Sequence, residues 1–254
     1  MSTESTIIIR ARKALLEGTD IDVHVPDYIE SLIFILMDGF SCSSITDWFS
    51  TIRERGIKDI KLSAPEKEIK RKLLGAAYEH TDIICFWEDG HVSRFVRSEQ
   101  WYNGKGDIVF HENPFDGDYK DLLAVEDNTV EYKQVLLELI ELAEKIRYKC
   151  FAQIFYTAYR ILDGTVTPNF ESAPYYVKDL SDDLKRIMFA RNMSYVFGGM
   201  GSWNDDPEGT AEKMGLEDEY GRLTNELIMS MRKSLFYVTN TCWTKADSQP
   251  MPKG

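Results

Sequence analysis

The stretch Asp82-Ile83-Ile84-Cys85-Phe86-Trp87-Glu88-Asp89-Gly90-His91-Val92-Ser93-Arg94-Phe95-Val96-Arg97 decides the fold class. Two short apolar runs, 82–87 and 92–97, flank an Asp-Gly pair. That pair supplies the positive φ angles of a tight turn, so the segment reads as a β-hairpin. Upstream, Ile57–Leu62 alternates with a period of about two and reads as a strand, and Asp107–His111 reads as another. Most of the remaining chain has helical spacing. The expectation is therefore an α+β, predominantly helical protein: N-terminal helices with a small β-hairpin or sheet, then a C-terminal helical region with one long central helix.

Working outward, residues 26–38 read as a buried helix that begins at Pro26 and is closed by Gly39. A second helix runs from Ser44 to Arg55 and stops at Gly56. Ser63-Ala64-Pro65-Glu66 fits a capping box opening a helix to Glu79. Past the hairpin, Asn128 and Glu131 form another capping signature. The series Leu136, Ile140, Ala143, Ile146, Cys150, Ile154, Ala158, Ile161 then keeps steps of three or four up to Gly164. Read as one helix, it is a rod of ~50 Å. A loop at 165–178 precedes a helix over 181–196. The last helix begins at Leu216 and carries Leu223, Leu227, Met231, Leu235, Val238 and Cys242. The domain reading is 1–111 for the α+β region, 112–127 for an acidic connector, 128–245 for the helical region and 246–254 for a flexible tail.

At 254 residues the chain has ample material for a core, and its 43% hydrophobic and 28% charged content is that of a globular protein. Thirty Lys+Arg against 42 Asp+Glu give −12, which disfavours general nucleic-acid binding. The charge is uneven. Residues 51–75 hold eight bases against four acids, 112–145 ten acids against three bases, and 203–219 seven acids against one lysine. The four cysteines, Cys42, Cys85, Cys150 and Cys242, are scattered among apolar residues and read as buried, reduced thiols. Ile7–Ile9 is too short for a signal-peptide core and Leu32–Met37 too short to span a bilayer. The expected location is cytoplasmic.

The most unusual segment is Phe197-Gly198-Gly199-Met200-Gly201-Ser202-Trp203-Asn204-Asp205. Three glycines in four residues demand special backbone angles or close approach of another group. Two readings compete. In one, Gly198 and Gly199 cap a helix C-terminus, Trp203 packs back, and Asn204 and Asp205 make turn hydrogen bonds. In the other, the glycine amides with Met200, Ser202, Asn204 and Asp205 form a binding surface for an anion or a partner backbone. The Lys-Ser/Thr of a phosphate loop is missing and the surrounding acids repel phosphate. The string is similar to the motif of a family of small bacterial helical domains that look like immunity proteins encoded beside secreted polymorphic toxins. The resemblance rests on residues 197–205, with helices expected on both sides over 180–240. It implies a protein-binding role and no established chemistry.

Two other features compete with that reading. The basic stretch, followed by the hairpin, resembles a winged helix over 44–97, with 65–79 as recognition helix and Lys67, Lys70 and Arg71 as nucleic-acid contacts. Its wing tip, Glu88–His91, is the wrong charge for phosphate. His24, His80, His91 and His111 are isolated, and Asp107–Glu112 lacks a second cluster that would complete a metal site. Ser202 has no recognisable base. Neither catalytic residues nor a metal or cofactor are expected. The leading function is a non-enzymatic immunity protein whose acidic surface neutralises a basic toxin, with a nucleic-acid-linked defence or regulatory protein as the alternative.

Overall fold

The computed structural model describes residues 3–63, 81–115, 117, 126–172 and 174–243. They fall into two compact units: 3–63, 81–115, 117 and 239–243 in the first, and 126–172 and 174–238 in the second.

The first unit is built on a six-stranded sheet. Its elements in order are α1 (Thr3–Glu17), β1 (Ile29–Ile35), β2 (Ser41–Cys42), α2 (Ile45–Glu54), β3 (Ile57–Ser63), β4 (Asp82–Trp87), β5 (Val92–Tyr102) and β6 (Lys105–Pro114). The strand order is β2-β1-β6-β5-β4-β3, and only β1 and β6 run parallel. The hairpin at 82–97 forms as expected, with Gly90 at φ 90°. It lies inside the sheet, however, between β3 and β6, so it is not the free wing of a winged helix. The helix expected over 65–79 lies outside the described residues.

The expected helix at 26–38 is instead strand β1. A short continuous apolar run does not discriminate between strand and helix, and here the β-branched and aromatic content of Leu32-Ile33-Phe34-Ile35 prevails. Phe34 shows why. It stacks on Trp48 of α2 at 4.5 Å and on Phe110 of β6 at 4.9 Å, and all three rings are buried. Gly39 closes no helix. It stands at φ 84° in the turn between β1 and β2, where its N–H donates to Leu36 O at 2.9 Å. The second expected helix is α2, with Ser44 as N-cap accepting from Asp47 N.

One face of the sheet is the core. Ile60, Leu62, Ile83, Cys85, Phe95, Ile108 and Phe110 are buried there, packed with Ile7, Ile8 and Ile9 of α1 and Trp48, Phe49 and Ile52 of α2. The edge strand β3 is closed by Asn240. Its Oδ1 accepts from Leu62 N at 2.7 Å and its Nδ2 donates to Leu62 O at 3.0 Å, imitating a strand neighbour. Buried Arg12 pairs with Asp59 at 2.5 Å and donates to Ile60 O and Cys242 O.

The second unit is helical: α3 (Thr129–Lys145), α4 (Lys149–Leu162), α5 (Tyr175–Lys178), α6 (Asp182–Met193), α7 (Asp206–Lys213) and α8 (Glu217–Thr241), the last turn of α8 belonging to the first unit. The single rod expected over 128–162 is two helices. The chain breaks at Arg147, which takes φ 68°, while Tyr148 N donates to Ala143 O at 2.8 Å and Arg147 N to Glu144 O at 3.0 Å. That pair of bonds is a Schellman-type helix end. The apolar rhythm survives the break because α3 and α4 bury facing stripes: Leu136, Leu139 and Leu142 on one, Phe151, Phe155 and Ala158 on the other. The Asn128–Glu131 capping signature does not form either. Asn128 is buried, donates to Ser230 O and accepts from Ser234 Oγ, both at 3.0 Å, while Asp127 bonds Thr129 N instead.

Candidate functional site

The glycine segment links α6 to α7, and its bonds run almost entirely within itself. Helix α6 ends at Met193 with Ser194 as C-cap, so Gly198 and Gly199 lie beyond the cap and do not form it. The side chain of Asn204 takes the place of a backbone neighbour. Its Oδ1 accepts from Gly198 N at 3.1 Å and from Ser202 Oγ at 3.0 Å, and its Nδ2 donates to Gly198 O at 3.4 Å. Asp205 Oδ2 accepts from Gly201 N at 2.7 Å, and Gly201 stands at φ 80°, where only glycine is unstrained.

Trp203 anchors the loop. It is fully buried, meets Phe151 and Phe155 of α4 edge-to-face at 5.3 and 5.2 Å, and stacks on Tyr220 at 5.1 Å. Its indole N–H donates to Thr224 Oγ1 at 2.9 Å, its own N–H to Val196 O at 2.9 Å, and Tyr220 OH donates to its carbonyl. Burial, reinforced by the charge of Glu208, pushes the Tyr220 phenol upward, which keeps it a neutral donor.

The candidate binding residues therefore divide. Trp203, Asn204 and the amides of Gly198 and Gly201 are occupied in holding the loop, so those two amides cannot also cradle an anion. Gly199 and Met200 stand out in solvent, and Met200 is 99% exposed. A thioether held in water at the tip of an internally bonded loop is the one apolar group the segment presents.

Next to the loop lies an acidic ridge. Asp206, Glu208, Glu212, Glu217 and Asp218, on α7 and the first turn of α8, are all exposed. Among the described residues none of the five forms an ion pair, whereas Glu219 pairs with Lys145 at 3.1 Å. Met214, also largely exposed, sits between the two acidic groups. Helix α7 was not expected from the sequence. Pro207 in its first turn was the available signal.

Other sequence candidates do not assemble. Lys67, Lys70 and Arg71 lie outside the described residues. Of the described bases in 51–75, Arg53 and Arg55 pair with Asp20 and Asp38, and Lys61 with Asp59. His111 is exposed while its neighbour Glu112 points to the buried face of β6, and no metal-binding cluster occurs among the described residues. Glu112, read as the start of the acidic connector, belongs to β6. It accepts from Ser93 Oγ at 2.6 Å and Met37 N at 3.1 Å, and Ser93 in turn accepts from Trp87 Nε1 at 3.0 Å. Cys42, Cys85 and Cys242 are buried free thiols as expected, but Cys150 is exposed because it falls in the first turn of α4, away from that helix's buried stripe.

Compared with protein-family models, curated proteins and solved structures, the chain matches none. No helix among the described residues is long and apolar enough to cross a membrane.

Proposed function

We propose that this chain is a cytoplasmic, non-enzymatic binding protein of the immunity type, which neutralises a basic toxin by covering it. The observation that carries this reading is Met200, exposed on a loop that its own hydrogen bonds hold rigid, beside five acids with no cation of their own among the described residues. A rigid loop loses little conformational entropy on docking, so the contact energy of its tip is retained. Methionine is enriched at the centres of interfaces, where a few residues supply most of the affinity. The unpaired acids attract a basic surface and accelerate encounter, and on a toxin that cuts nucleic acid they compete with substrate phosphate for the same cations.

The test is co-expression with the product of an adjacent toxin-like gene. The wild-type chain is expected to restore growth. Met200→Asp should weaken the purified complex by at least about tenfold, the cost of losing one buried apolar anchor. Changing Glu208 and Glu212 to Lys should lower the association rate with little effect on the fold. Failure to bind or protect would end this reading. Salt-dependent affinity for DNA or RNA that falls when Lys67, Lys70 and Arg71 become Glu would replace it with the nucleic-acid alternative.

A further inference from the structure

Strands β5 and β6 join at Trp101-Tyr102-Asn103-Gly104-Lys105, in the first unit. Asn103 at φ 50° and Gly104 at φ 79° supply the two positive angles of a tight hairpin turn, so the tip has a set geometry. Trp101 lies across Gly106, where a Cβ would come within 2.9 Å of the indole ring; the glycine is what lets the ring lie there. Tyr28, whose carbonyl accepts from Gly106 N at 2.8 Å, places its ring beside Trp101, with centroids 6.2 Å apart and planes 28° apart. The two rings remain about half exposed, and Tyr102 is 80% exposed.

Two aromatic side chains, Tyr28 and Trp101, are thus held together at the end of a sheet with about half of their surface in water, and Tyr102 stands out at the turn beside them. Asp27 and Glu30 flank Tyr28 in the chain, both exposed and neither ion-paired to another described residue. Asp107, which accepts from the hydroxyl of Ser31 at 2.5 Å, follows Gly106 and so lies on the other face of β6 from Trp101. Elsewhere in the same unit an exposed ring carries its own cation: Arg55 lies over Phe40 at 5.6 Å. No described cation lies over Tyr28, Trp101 or Tyr102. Aromatic faces attract cations through their quadrupole, and the surrounding carboxylates add charge attraction of the same sign. The same carboxylates repel nucleic-acid phosphates and anionic lipid headgroups.

We propose that this tip is a docking platform for a lysine- or arginine-bearing segment of another protein, held by cation–π contact on Trp101 and Tyr28 and by attraction to Asp27 and Glu30. The proposal does not depend on the reading of the 197–205 loop.

A fluorescein-labelled Lys/Arg-rich decapeptide, followed by anisotropy at low ionic strength, tests it. The full chain should bind this peptide and ignore a Glu-rich peptide of equal length, a neutral oligosaccharide and anionic phospholipid vesicles. Trp101→Ala should weaken binding about fivefold, as removal of one exposed cation–π contact implies. The Asp27→Asn, Glu30→Gln double variant should weaken it too. Circular dichroism checks each fold, with Tyr28→Ala as a second probe if Trp101→Ala unfolds. A chain with net charge −12 attracts cations everywhere, so peptide binding that is indifferent to Trp101 and Tyr28 overturns the platform. Absence of peptide binding, or preferential binding of the oligosaccharide or the vesicles, also overturns it.

Discussion

Asn204 makes three hydrogen bonds from one carboxamide, two of them to the backbone of Gly198. It therefore does for this loop what a strand neighbour does in a sheet, and the same device recurs in Asn240 against the edge of β3. The reason is chemical: a carboxamide offers a donor and an acceptor side by side and can match both faces of a peptide group. Asn204→Ala removes all three bonds, and water reaches part of the vacated site, so the expected loss is about 1–2 kcal/mol in urea denaturation. Asn204→Asp retains both acceptor contacts and exchanges the 3.4 Å donation for an oxygen–oxygen repulsion against Gly198 O, which solvent screens at this exposed bond, so it should cost less than the alanine variant. The reverse order would mean that the loop does not depend on these bonds. Met200→Ala should leave stability unchanged, since the side chain touches solvent alone. This contrast separates residues that build the loop from the one it displays. The sequence offered both roles for residues 198–205 without ordering them, because a run of glycine, serine and asparagine looks the same whether its amides face inward or outward.

Among the elements, the break at Arg147 is the one the pattern concealed. Helix ends with positive φ are usually marked by glycine, and here the position holds arginine. The spacing of Leu142, Ile146 and Cys150 passes through the turn without interruption, so periodicity alone reads one helix where two antiparallel ones stand. A non-glycine residue in the left-handed region costs about 1 kcal/mol, part of which glycine returns through its more flexible unfolded chain. Arg147→Gly should thus raise stability by about 0.5–1 kcal/mol, seen as a higher urea midpoint with unchanged slope; Arg147→Val should lower it. The opposite order would show that α3 and α4 are not separated in this way. The strand at 29–35 was concealed for a different reason. Its helical reading came from Pro26 and Gly39, and both residues fit a strand entered after a turn and left through one. By contrast, α2, β3, β4, the 88–91 turn and α6 were legible because caps and turn residues there agree with the hydrophobic period. The acidic ridge was legible as charge, but its division between α7 and α8 was not.

For the whole molecule, the −12 charge is distributed differently from what the sequence runs suggest. Glu112 is buried in the sheet, Glu138 is held below the usual carboxylate range by Gln134 and Arg222, and Glu219 is paired with Lys145, so among the described residues the exposed acids without an ion pair include those of 206–218 and, in the other acidic run, Glu126, Glu131, Glu141 and Glu144. The opposite end of the pH scale gives a prediction for the fold itself. Tyr132 and Tyr220 are pushed up chiefly by burial, as are the thiols of Cys85 and Cys242, the last from 9.0 to about 12. Each of these acids keeps its proton more tightly when folded than when unfolded. Below pH 9 both states hold these protons and stability is unaffected by them. As pH rises above 9 the unfolded chain releases the Cys242 proton, and near 10 its tyrosine protons follow, while the folded chain retains them. The unfolded state then binds fewer protons, so stability must fall with pH from there until, for Cys242, the folded thiol also ionises near 12. Thermal unfolding followed from pH 7 to 11 should show a Tm that is flat with respect to these groups up to about 9 and declines beyond it. Tyr132→Phe should lessen the decline, because the buried hydroxyl it removes can no longer ionise, at the expense of the bond to Ser194. A decline as steep as the wild type's in both Tyr132→Phe and Cys242→Ala would place the alkaline sensitivity in the loss of surface lysine protons, which leaves the ionised surface acids unbalanced, and raising the ionic strength would then relieve it.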